Sequence, residues 1–169
     1  ELETPKQPVT EGPDAISETR QRALKMLAEV LFDLTDDSSE AQARRGLQSI
    51  MKSTGQLSPQ AEQTKILLHL SQAIDAQTKN QDKVAADEIE HAIQNGFNHP
   101  AAYFDLGMLR STTDLEGSLR NLQLCIKHVD YVLAARLVSG QILRKLKRTK
   151  DAAVEYLEAL KIADAAVVP

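Results

Sequence analysis

Tryptophan is absent from this sequence, aromatic residues make up only 4% of its 169 positions, and a single cysteine, Cys125, stands alone. One cysteine excludes an intrachain disulfide, which fits a reducing cytosol, and a cytoplasmic protein is the expectation. No apolar run approaches the ~18–20 residues of a membrane span, and no signal peptide is visible. The catalytic signatures are missing too. There is no phosphate-cradling glycine loop, no HExxH, no Gly-x-Ser-x-Gly and no paired-cysteine metal signature. An enzyme is therefore not expected, and no cofactor is implied.

Hydrophobic residues account for 42% and charged residues for 26%, with seven glycines and six prolines. Alanine, leucine, glutamine, glutamate and lysine dominate, and these are the better helix formers. The net charge of −4 gives no reason to expect nucleic acid or an anionic membrane as partner. Residues 1–13 hold three prolines and a glycine with almost no apolar side chains, and read as a flexible linker to something upstream. Residues 14–169 read as one helical domain. The spacing of apolar residues predicts helices over 14–34, 38–54, 58–79, 81–95, 100–112, 115–129, 131–146 and 149–165.

The boundaries carry their own punctuation. Asp37 with Glu40, and Thr113 with Glu116, have the spacing of a capping box. Ser58-Pro59 and His99-Pro100 place proline at the first helical position. Gly55 and Gly96 stand where a left-handed residue closes a helix.

Self-similarity is the strongest signal. Ala43-x3-Leu47-x2-Ile50 returns as Ala85-x3-Ile89-x2-Ala92, as Ser118-x3-Leu122-x2-Cys125 and as Ala152-x3-Tyr156-x2-Ala159. A companion pattern centres on Ala28, Ser71, Gly107 and Gly140. Residues three and four apart share a helix face, so a small residue on each partner lets two helices approach closely. The pairs predicted are 14–54, 58–95, 100–129 and 131–165. One pair cannot bury its apolar face alone, so stacking follows.

Residues 147–163 resemble the second half of a tetratricopeptide repeat, and 100–163 resemble two consecutive repeats. The resemblance implies an all-α, right-handed solenoid of about four antiparallel helix pairs. It also implies a scaffold that binds a protein or peptide in its concave groove. Carried over, the groove takes Phe104, Met108, Leu137, Gln141 and Arg144, with Lys65, Leu68 and Gln72 from the second pair. Phe104, Met108 and Leu137 would then form an exposed apolar patch, with Arg144 favouring an acidic ligand. The carboxylate clamp of some relatives is missing at these positions. Two other readings stay open: a regulatory domain fused to an upstream effector, and a helical-repeat nucleic-acid binder using the basic 144–150 turn. The latter is the weaker, since no aromatics interleave there.

Remaining candidates have plainer readings. Asp87 and His91 could offer two metal ligands, but no third is evident in the sequence and a surface ion pair is expected. Cys125 sits at a small buried position of the repeat, which suits packing. The apolar end, Ala165 to Val168, is expected to begin another helix and to promote self-association through the last pair.

Overall fold

The computed structural model describes residues 12–34 and 59–167. Among these the fold is all-α, with seven helices and no strand. They are α1 (Gly12–Leu34), α2 (Pro59–Thr78), α3 (Asp82–Gln94), α4 (Pro100–Leu109), α5 (Leu115–Cys125), α6 (Val132–Lys145) and α7 (Thr149–Val167). The expected helix 38–54, together with Ala43, Gly55 and the Asp37–Glu40 cap, lies outside the described residues, as does the 1–13 linker but for its last two positions.

Short turns join α2 to α3, α4 to α5 and α6 to α7, and each of these neighbours packs closely on the other, which makes three helical hairpins. Two turns share one design. Asn80 and Lys147 adopt left-handed backbone conformations, with φ of 57° and 59°. The following amide then reaches back five residues, Gln81 N to Ala76 O at 2.8 Å and Arg148 N to Leu143 O at 2.9 Å. Gly96, with φ of 104°, closes α3 in the same way through Phe97 N to Ala92 O. These bonds satisfy carbonyls that the helix ends leave without a partner.

Helix starts follow the sequence to within two residues: α1 begins at Gly12, inside the expected 1–13 linker, and one cap moves by a residue. His99 is extended, and its Nδ1 accepts from Ala101 N at 3.1 Å ahead of Pro100. The cap of α5 is Asp114 rather than Thr113, its carboxylate accepting from Gly117 N at 2.9 Å.

Helix pairing relies on small residues, as expected, but not at every position expected. A Cβ on Gly107 would lie 2.9 Å from the Leu122 side chain, and one on Gly140 only 2.7 Å from the Tyr156 ring. Ser118 donates its hydroxyl to Gly107 O, and Ser118, Ala85, Ala152 and Ala159 are all buried. Ser71 and Ala28, by contrast, are exposed. In α2 the small residues turned to the core are Ala73 and Ala76, and Ala73 stands seven positions before the left-handed Asn80, as Gly140 is seven before Lys147. Turn length sets this register, and an apolar pattern read without the turn misses it by two residues. In α1 the buried face runs through Thr19, Ala23 and Leu27, and Ala28 stands about 100° further round the helix.

The largest departure from a simple row of pairs is the course of α1. It packs across α2, α4 and α6, the first helices of all three hairpins. Ile16, Met26, Val30 and Leu31 flank the wholly buried Ala23 and Leu27 against the common core. This spacing of three and four gives one continuous apolar stripe.

Candidate interaction surfaces

The face on which a groove was expected is covered from within the chain. Phe104 is wholly buried and stacks obliquely on Tyr131, ring centroids 5.7 Å apart. Ala101 and Ala134, on the same two helices as Phe104 and Leu137, are buried as well. Met108 packs against the core and Leu137 is half-buried. The open apolar patch expected of Phe104, Met108 and Leu137 therefore does not exist, because α1 lies across the helices that carry them. Lys65 is half-buried, while Leu68, Gln72, Gln141 and Arg144 are exposed around this covered region.

Polar contacts fix α1 in place. Arg22 Nη1 donates to Asp130 O at 3.0 Å, at the entrance to α6. Thr19 returns its hydroxyl to Ala15 O at 2.7 Å, so its burial leaves no donor unpaired. Asp105 is buried in α4, with Gln77 Nε2 of α2 donating to its Oδ2 at 2.6 Å. Burial pushes its carboxyl up to about 6, against the Gln77 hydrogen bond and the Arg20 charge, which favour ionisation; Asp82 adds to the rise. Its Oδ1 and the Gln77 Oε1 have no partner.

Ion pairs tie the helices elsewhere. Arg110 donates to both Glu90 oxygens, at 3.1 and 2.7 Å, and reaches Asp87 at 3.4 Å. The Arg110 hydrogen bond holds the Glu90 carboxyl below its usual range. Arg136 meets Glu155 at 3.0 Å across α6 and α7. In the basic turn, Arg148 is held by Asp151 at 3.1 Å and lies 3.7 Å from Glu116, while Arg144 and Lys145 stay exposed. Cys125 is buried, its thiol pushed up to about 12 by desolvation and donating to Leu122 O, an environment that suits packing.

Among the described residues Leu68, Val84, Leu124 and Val129 are exposed on other parts of the chain, but open apolar side chains gather most densely on α7. Ala152 and Ala159 turn inward, whereas Val154, Leu157, Leu160 and Val167 are 56%, 57%, 56% and 82% exposed. On a helical wheel these four share one side, with Lys161 and Asp164 among them. Residues 165–167 continue this helix instead of starting another. A groove of about 350 Å³ between α5 and α7, lined by Leu119, Gln123, Leu143 and Val154 among others, adjoins the stripe. Its sequence signal is a second apolar face on one helix, out of phase with the repeat pattern. No helix among the described residues is long and apolar enough to cross a membrane.

Comparison with known proteins returns no relative: no family model matches the chain, and neither a curated protein nor a solved structure is significantly similar to it.

Proposed function

We propose that this chain is a tetratricopeptide-like helical-repeat module that binds proteins, and that it does so through the outer face of α7. The repeat pattern, the glycine-mediated helix contacts and the recurring hairpin turn support a superhelical stack of pairs. The observation that carries the function is the exposed Val154–Leu157–Leu160–Val167 stripe on a helix whose other side is already packed. Apolar residues gathered on one exposed helix face mark a site of association. The concave groove is not the binding surface in this reading, because Phe104 is buried and α1 packs across the helices that would line it.

A second copy of the chain is the occupant that fits the charges. Lys161 and Asp164 lie within the stripe, so a copy related by a two-fold axis sets the cation of one against the anion of the other. Fully burying a leucine side chain is worth about 1.5–3 kcal/mol. Leu157→Glu should therefore weaken association by more than about tenfold, with helicity unchanged. Sedimentation equilibrium over a wide concentration range measures this directly. A wild-type chain that stays monomeric throughout would sink the assignment of a second copy.

A further inference from the structure

We propose that His69, Glu88 and His91 form a binding site for a divalent transition-metal ion of the zinc class. His69 projects from α2; Glu88 and His91, three residues apart, share one face of α3. One donor atom from each lies within 4.8 Å of the other two. His69 Nδ1 stands 2.5 Å from Glu88 Oε2, and the two imidazole rings are 5.1 Å apart, inclined at 50°.

Zinc bonds to histidine nitrogen and carboxylate oxygen are about 2.0–2.2 Å long, which separates tetrahedral donors by roughly 3.3 Å. Side-chain rotations suffice to bring the three donors to that spacing. His91 is exposed, so an ion can enter from solvent, while the His69 and Glu88 side chains are only 22% and 20% exposed. Two imidazoles with one carboxylate suit zinc, cobalt, nickel or copper; calcium and magnesium prefer oxygen donors throughout. Three protein ligands leave a coordination position for water. Asp87, the acid that sequence spacing pairs with His91, turns instead to Arg110.

The hairpin α6–α7 offers an internal control. His69, Glu88 and His91 correspond there to Arg136, Glu155 and Glu158, each 67 residues on, as Asn80 corresponds to Lys147. Arg136 and Glu155 join the two helices without histidine. The backbone thus needs only an ion pair at this place, and two histidines in its stead supply a ligand set.

Calorimetric titration of Zn²⁺ into chelator-stripped protein should find one site, with a rise in the thermal midpoint as α2 and α3 are cross-tied. His91→Gln and His69→Arg should each weaken binding beyond the ~10–100-fold that loss of an outer-shell partner costs. His69→Arg should keep the metal-free stability, since it restores the ion pair of the sister hairpin. If His69→Arg fails to fold, the exposed His91→Gln decides alone. Absence of saturable Zn²⁺ uptake overturns the proposal. So does unchanged affinity in the variants, which would place the ion on other side chains.

Discussion

The hairpins α2–α3 and α6–α7 share a turn, a register and an interhelical ion-pair position, yet they differ in what occupies them. Gly140 meets an aromatic ring where α2 presents Ala73. Gln77 is drawn inward to Asp105, while its counterpart Arg144 stays in solvent. Histidine replaces arginine opposite the shared glutamate. The lesson is that the turn and its register fix the hairpin, and side chains at equivalent sites are then free to take on separate tasks.

The most severe way to break the equivalence is to overfill its closest contacts. Gly140→Leu and Ala73→Leu should each destabilise by about 1–3 kcal/mol, the range for overpacked cores, with Gly140→Leu at the upper end. Ser71→Leu should be nearly neutral. Urea unfolding of the three variants tests the register, and a costly Ser71→Leu with a tolerated Ala73→Leu would refute it.

A comparable effect, confined to neutral and higher pH, tests the Gln77–Asp105 pairing that only one hairpin has. Asp105 is held near 6 in the fold against 3.8 ordinarily, so the folded state binds its proton more tightly. Its contribution is fully present below pH ~4 and is lost as pH rises through ~6. Asp105→Asn should therefore stabilise by roughly 1–3 kcal/mol at pH 7.5 and by almost nothing near pH 3.5. Arg20 from α1, Gln77 from α2 and Asp82 at the start of α3 are the polar groups around it. Thermal midpoints of wild type and variant across this range should converge at acid pH; parallel curves would contradict the assignment.

The smallest change sharpens the comparison of turns. Lys147 carries a Cβ in a left-handed conformation, and Lys147→Gly should stabilise by about 1 kcal/mol. Asparagine tolerates that conformation, so Asn80→Gly should gain only a few tenths. Equal gains at both sites would show that the turns are not equivalent.

Much of this architecture was legible. The helix ranges from 59 onward match the apolar spacing closely, because proline, glycine and the periodic small residues act locally. Gly107, Gly140 and the buried Ala85, Ser118, Ala152 and Ala159 were visible for the same reason. The placement of α1 was not, since its stripe states only that something is buried, not what lies opposite. On that account Phe104 reads from the sequence as a groove residue although it is buried. Ser71 was misplaced because Asn80, a residue compatible with left-handed backbone but not diagnostic of it, gave no clear mark of the turn. His69 and His91 are 22 positions apart on different helices, and only the hairpin register brings them together.

The route of α1 bears on how the molecule comes apart. In a row of hairpins each unit touches only the next, and the ends can fray while the middle holds. Here Arg22 bonds to the carbonyl of Asp130, 108 residues away, and the helix that carries it touches every hairpin. Opening the α6–α7 end strips cover from α1, and releasing α1 uncovers α2 and α4 in turn. Unfolding is thereby coupled along the whole length and should proceed in one cooperative transition. The long sequence separation also means that chain closure precedes the reward, so folding is slower than local helix pairing alone would set.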